Sequence, residues 1–330
     1  SPYTISYGYD KAGNRLSRTK GASTFLYSYN SLNQLLQERK KSSQDSVSIT
    51  VEGTIDDNTA SVLVQDKPAV VTSGQFSADG ITAARGINLI TAVAEDSAGN
   101  KSFHQIQVNV IDPLKIEYSY DNNGSLIKKQ EGSKITIYTY DYENRLTSVN
   151  YNGSNIAGYT YDGEGKRVSQ SEGGVTTDFF YDGLNVLIER NSSGATVAAY
   201  TRDLSYGGGI GGIISRRDST GTYYYHYDGL GNVMQLTDSA GAVVKSYTYE
   251  AFGSLVAQTG TAANPYQFQT KQFSSSAGLV HFGFRDYNPA VGRFTTPDPL
   301  GFVNGPNVYA YLGNDPINWI DPWGLCKKTG

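Results

Sequence analysis

Asp286 and Asp298 stand beside Arg285 and Arg293 in the stretch of the chain densest in distinctive residues, from Gly278 onward. Two carboxylates brought close together can hydrolyse a peptide bond. One must be ionised and the other protonated, because like charges in contact cannot both ionise. The ionised member takes a proton from water; the protonated member gives one to the carbonyl oxygen and then to the leaving amine. Arg285 can hold one carboxylate ionised or steady a developing oxyanion. Asp-Pro-x-Gly occurs twice here, as Asp298-Pro299-Leu300-Gly301 and Asp321-Pro322-Trp323-Gly324, with Asp315-Pro316 between them. Asp-Pro is also a turn and cap former, so Asp321 reads as shaping a turn, with Trp319 and Trp323 packed beside it. Arg293, in Gly-Arg-Phe, is open between structural pairing and support of the site.

Other chemistries find little footing. The three histidines, His104, His226 and His281, are far apart and make no ligand motif. A single cysteine, Cys326, excludes an intrachain disulfide framework and a cysteine zinc site. No metal and no cofactor are therefore expected. A net charge of −4 gives no basic footprint for nucleic acid. No apolar run approaches the roughly 20 residues of a membrane helix. The glycine run from Leu204 to Ile213 lacks the Lys-Ser/Thr of a phosphate loop and reads as a strand or bend. Ser1-Pro2-Tyr3 already opens a strand-like run without a signal peptide, so the chain reads as part of a longer one.

The elements that must position the aspartates are repetitive. With 37 Gly, 26 Tyr and only 18% charged residues, the composition suits many strands joined by tight turns. Tyr7-Gly8-Tyr9-Asp10, a short turn, then Asn14-Arg15-Leu16 sets a pattern. It recurs at Tyr27–Asn30, Tyr118–Asp121, Tyr138–Asp141, Tyr159–Asp162 and Phe180–Asp182, and in weaker form at Tyr225–Asp228 and Tyr247–Glu250. Adjacent copies lie about 20 residues apart, a stacking-repeat period. Tyr-x-Tyr places two rings on one face of a strand. Asp or Asn before Gly-Asn makes the hairpin turn through side-chain bonds and left-handed φ. Turn formation and packing account for the recurring Tyr-Asp pairs without catalysis. A hairpin cannot bury its apolar face alone, so the units must join into one long sheet.

Tyr-Asp followed by Gly-Asn-Arg-Leu resembles the YD-repeat (Rhs) proteins. That resemblance implies an all-β fold in which the hairpins form a wrapped, spiralling sheet, a shell. The rhythm breaks between Tyr29 and Tyr120, about 90 residues where one repeat needs about 20. The intervening strands alternate strictly between turn clusters. Gly86-Ile87-Asn88-Leu89-Ile90-Thr91 and Ala94-Glu95-Asp96-Ser97-Ala98-Gly99-Asn100 resemble a bacterial Ig-like module, a small β-sandwich. It reads as a spacer or as an adhesion or glycan-binding module; Phe76 and Phe103 are its only aromatic residues.

From Tyr223 the motifs Tyr227-Asp228-Gly229-Leu230-Gly231-Asn232, Arg285-Asp286-Tyr287-Asn288-Pro289, Gly292-Arg293-Phe294 and the two Asp-Pro-x-Gly copies resemble the Rhs-associated core domain. In that family the core is followed by a variable toxic domain held in the shell. Many members cut their own backbone after the Leu of the second Asp-Pro-x-Gly-Leu. The resemblance thus implies cleavage of Leu325–Cys326, presented by Asp321, Pro322 and Gly324. Asp286 and Asp298 would be the aspartyl pair and Arg285 their support. The tethered bond raises effective concentration, and turnover would be one per molecule. The expected division is YD repeats over 1–44 and 112–222, the insert over 45–111, the core over 223–325 and the start of a toxin region over 326–330. Expected partners are the chain's own toxin domain, secretion or toxin-complex components and a cell-surface glycan; the expected location is secreted or cell-surface. The rival reading is a surface adhesion or carbohydrate-binding YD-repeat protein without proteolysis.

Overall fold

The computed structural model describes residues 4–41, 46–56, 58–110, 115–203, 209–325 and 327–329. Its regular structure is almost entirely strand, with a few 3-10 turns near the C-terminal end. The all-β expectation holds.

The turn after most Tyr-x-Tyr strands is closed by an aspartate acting as a local acceptor. Asp10 Oδ1 accepts the backbone N–H groups of Ala12 and Asn14 at 2.9 and 2.8 Å. Asp121, Asp141, Asp162 and Asp228 repeat the pattern at two and four residues on, and Asn30 does the same through its amide oxygen. The turn needs one left-handed residue, which is Gly at 13, 124, 165 and 231 and Asn at 33 and 144. The first ring of the Tyr-x-Tyr is buried at Tyr27, Tyr118, Tyr138, Tyr159, Tyr225 and Tyr247 and half-buried at Tyr7. The second ring stitches repeats together. Tyr29, Tyr161, Tyr181, Tyr227 and Tyr249 donate their hydroxyls to the carbonyls of Arg15, Leu146, Arg167, Ile213 and Val233, at 2.6–3.1 Å. Each acceptor is the first residue of an earlier return strand.

These hairpins join into one 18-stranded sheet. Consecutive strands from Lys115–Tyr120 to Leu255–Thr259 pair antiparallel in sequence order. The strand Leu35–Lys40 pairs directly with Lys115–Tyr120, so the sheet runs on across the inserted residues. The hairpins between Gly221 and Thr259, assigned from sequence to the core, are continuous with this sheet. Residues 204–208 of the glycine run lie outside the described residues.

The chain divides into two compact units, one holding Arg39–Lys115 with Ser1–Ile5 and Thr19–Leu26, the other holding the rest. In the first, Ser46–Thr54, Val70–Thr72 and Gln75–Ala84 form one sheet; Thr59–Val64, Lys67–Pro68, Gly86–Asp96 and Lys101–Val110 form the other. Val51, Ala78 and Ile81 from one sheet pack on Val62, Val64 and Ile90 from the other, a small sandwich with its own core.

In the second unit the residues after about 264 form a module of short strands around buried rings, Phe252, Phe268, Phe282, Tyr287, Phe294 and Tyr311. This module gathers the turn ends of distant hairpins. Asn14 Oδ1 accepts from Arg293 Nη1 at 3.2 Å and from Asn307 Nδ2 at 2.8 Å. The Gly124 carbonyl accepts the Tyr309 hydroxyl at 2.8 Å. Asn232 Oδ1 accepts the Gln269 N–H at 2.9 Å, and the Gly231 carbonyl accepts the Thr270 hydroxyl at 2.8 Å. Turns from the first, middle and late repeats thus meet on one module, which requires the sheet to curl round it.

Candidate functional site

The short strand Asp286–Asn288 pairs with Leu279–His281 in a register that sets His281 opposite Asp286. Asp286 is buried. Its Oδ1 lies 3.0 Å from Arg167 Nη2 and 3.1 Å from His281 Nδ1, and Oδ2 lies 3.2 Å from the same arginine nitrogen. Burial pushes this carboxyl up, but Arg167 and His281 together outweigh it and hold it down at about 2. His281 is itself pushed down, by burial first and then by Arg167.

Arg285, one residue earlier and 3% exposed, is the hub of the other carboxylates. Its Nη2 lies 3.0 Å from Asp298 Oδ2 and 3.8 Å from Asp321 Oδ2. Its Nε donates to the Gly324 carbonyl, and its Nη1 donates to the Val308 carbonyl at 3.1 Å. The guanidinium lies over the Phe294 ring, 3.7 Å from its centroid. Burial lowers Arg285 to about 10 against the pull of Asp298 and Asp321, which leaves it charged at neutral pH.

Asp298 and Asp321 each shape a turn and each face Arg285. Asp298 Oδ1 accepts the Leu300 N–H at 2.9 Å. Asp321 Oδ1 accepts three successive N–H groups, from Trp323 at 3.3 Å, Gly324 at 2.8 Å and Leu325 at 3.0 Å. Burial pushes Asp321 up, opposed by Arg285 and those three amides. Pro322 is buried in the same turn. Gly324 sits at φ +73°, where a Cβ would come 3.1 Å from that of Phe282. Cys326 lies outside the described residues.

Arg285, Asp298, Asp321, Gly324 and Leu325 therefore meet at one point. The carboxylate of Asp286 is tied instead to Arg167 and His281. Three contributors were not evident from sequence. Arg167 sits where Arg15 sits in its repeat, at the start of the return strand, so its position carried no special signal. Gln269, whose Oε1 accepts the Asp321 N–H at 3.2 Å, is in an unremarkable polar run. Asn304 has no motif at all, yet its Nδ2 donates to Asp298 Oδ2 at 3.0 Å and to the Leu325 carbonyl at 2.5 Å. A cavity of about 90 Å³ adjoins the turn, lined among others by Arg167, Arg202, Lys271, His281 and Trp323. Burial and then Arg202 lower Lys271 to about 7, and its ammonium lies 5.0 Å from the Trp323 ring centroid. Among the described residues no cluster of His, Cys, Asp and Glu is placed to hold a metal ion, and no helix is long and apolar enough to cross a membrane.

A protein-family model described as the teneurin YD-shell matches residues 87–183 and 109–317, more than half of the chain. The chain belongs to the YD-shell family. A second model, described as glucodextranase domain B, matches residues 38–111. The YD-shell chain is 39% identical over 119 residues to double-stranded DNA deaminase toxin A of Burkholderia cenocepacia, 34% of this chain and 8% of that protein. It is 34% identical over 102 residues to toxin protein Tse5 of Pseudomonas aeruginosa, 31% of this chain and 8% of that protein. It is 30% identical over 213 residues to the tRNA3(Ser)-specific nuclease WapA of Bacillus spizizenii, 62% of this chain and 9% of that protein. Among solved structures, a TcdB2-TccC3-Cdc42 crystal structure matches with a TM-score of 0.51 at 16% identity, covering 98% of this chain and 17% of the other. A Tc holotoxin pore of Photorhabdus luminescens matches with a TM-score of 0.51 at 17% identity, covering 99% and 17%. These structures share the fold. The chain spans under a tenth of the length of those three relatives.

Proposed function

We propose that this chain is part of the shell of an exported toxin, enclosing an effector joined to its C-terminal side, and that it cuts its own Leu325–Cys326 bond once. One observation carries the reading. The Arg285 guanidinium ties two carboxylates, Asp298 and Asp321, to the Gly324 carbonyl, one peptide before that bond. The toxin names of the relatives support the shell role.

Net hydrolysis adds hydroxide to the Leu325 carbonyl carbon and a proton to the Cys326 nitrogen while the C–N bond between them breaks. Asp286 is the ionised member, since Arg167 and His281 hold its charge. Its Oδ2 accepts from Arg167 at 3.2 Å and, with two lone pairs, can also take a proton from water. Asp298 is the carboxylate on the Leu325 side. Burial pushes Asp321, which faces the same guanidinium, toward its protonated form against the pull of that cation, so it can give the leaving amine its proton. Asp321 also pins three amides of the segment through its other oxygen, which fixes the bond for attack.

Intact mass of the purified 330-residue chain tests this. Cleavage removes Cys326–Gly330, and Asp298→Asn keeps the full mass. A parent chain that stays whole over days sinks the self-cleavage. A parent that cuts and an Asp298→Asn variant that cuts equally fast sinks the assignment of Asp298.

A further inference from the structure

Asn304 closes the 3-10 turn Gly301–Asn304 that follows the first Asp-Pro-x-Gly. Nothing in its sequence context marks it, and it is exposed. Its side-chain nitrogen carries two hydrogens, and the two acceptors in reach are Asp298 Oδ2 at 3.0 Å and the Leu325 carbonyl oxygen at 2.5 Å. A primary amide can satisfy both at once. Both flanking carbonyls are thus held by side chains, Gly324 by Arg285 and Leu325 by Asn304.

We infer that Asn304 is a catalytic residue of the proposed self-cleavage, the donor to the oxyanion that forms on the Leu325 carbonyl oxygen; the inference rests on that reading. When hydroxide adds to the carbonyl carbon, the π electron pair moves onto this oxygen. An N–H already aimed at it gains strength as the charge develops and needs no reorganisation. The second hydrogen of the same amide lies on Asp298, so the amide ties the orientation of that carboxylate to the bond being cut. When the tetrahedral species collapses, the pair returns to carbon, the C–N bond breaks and the Cys326 nitrogen takes its proton. Asn304 neither gains nor loses a proton in any step.

The test is the first-order rate of self-cleavage of the 330-residue chain, followed by intact mass after dilution from denaturant, for the parent, Asn304→Ala and Asn304→Ser. Loss of one oxyanion donor slows such reactions by about a hundredfold; because Arg285 stays in place, a drop of at least about tenfold is expected in both variants. A merely structural role would lower the thermal midpoint along with the rate. Asn304 is on the surface, so thermal midpoints should match the parent. Should the alanine variant fail to fold, the serine variant decides. Variants that cut within twofold of the parent overturn the role of Asn304 and leave the self-cleavage standing. A parent that never cuts overturns both.

Discussion

Asp286 joins chemistry to stability, and the two can be separated. Its carboxylate is buried between Arg167 and His281. Asp286→Asn leaves Arg167 buried without its counter-ion, and breaking a buried pair from one side costs about 3–5 kcal/mol. We expect a lower thermal midpoint together with loss of self-cleavage. Adding Arg167→Met should restore much of the stability without restoring cleavage; recovery of both would reduce Asp286 to a structural anchor. The pH dependence has a definite sign. The folded carboxyl titrates below its unfolded value, so its stabilisation is complete above about pH 4, on the order of 2 kcal/mol. It is lost as pH falls through about 2. Urea midpoints between pH 4 and 2 should fall more steeply for the parent than for Asp286→Asn, and equal slopes would assign the acid sensitivity elsewhere. The turns at Asp298 and Asp321 were legible because Asp-Pro-x-Gly is a local signal. The sequence paired Asp298 with Asp286, however, and left Asp321 a turn former, and it is Asp321 that shares Arg285 with Asp298. The partner of Asp286 was not legible. Arg167 lies in a repeat where arginine recurs at the start of return strands, and nothing local marks which copy faces the module. Asn304 was invisible for the same reason, since a lone asparagine on a surface turn has no period and no motif.

The repeating element depends on one left-handed residue per turn, and at Gly124 that residue is also a seam. Its φ is +83°, and a Cβ there would lie 2.6 Å from the Tyr309 hydroxyl and 2.9 Å from Pro297 Cγ. That hydroxyl is the donor to the Gly124 carbonyl. Gly124→Ala therefore combines the left-handed penalty, about 1–2 kcal/mol, with displacement of the contact between hairpin and module. Gly165→Ala, at φ +82° with no clash closer than 4.0 Å, carries only the first cost. Thermal unfolding should rank the two, Gly124→Ala lower; equal midpoints would mean that the Tyr309 contact yields freely. The hairpins were legible because Tyr-x-Tyr-Asp carries strand period and turn chemistry in four residues. The border between sheet and module was harder to place, since Tyr225-His226-Tyr227-Asp228 and Tyr247-Thr248-Tyr249-Glu250 use the same pattern as the sheet they extend. The module after residue 264 is shaped by left-handed Gln269, Thr270, Leu312 and Asn314. Tertiary contacts hold those conformations, and no propensity announces them.

At the scale of the molecule, the two compact units bury separate apolar clusters. The buried residues of the sandwich core lie between Val51 and Ile90, with Ile49, Ala92, Ala94 and Val108 packed against them. The sheet and module bury theirs around Tyr200, Tyr225 and Leu236 and around Phe282, Tyr287 and Tyr311. The sheet does not use the insert to keep its register, because Leu35–Lys40 and Lys115–Tyr120 are already neighbours. Across this pair the Tyr118 hydroxyl donates to Glu38 Oε2 at 3.1 Å. Replacing residues 45–111 by a short Gly-Ser link exchanges a folded excursion for a flexible loop, and closing a shorter loop costs no more entropy than a longer one. The shortened chain should therefore unfold in one transition within about 4 °C of the corresponding transition of the parent. The intact chain should lose one calorimetric transition on excision, that of the sandwich. Self-cleavage at Leu325–Cys326 should proceed at the parental rate, since every group placed at that bond belongs to the sheet unit. Calorimetry and intact mass on the same preparation check both halves. Loss of the remaining transition would mean that the insert nucleates the sheet it interrupts.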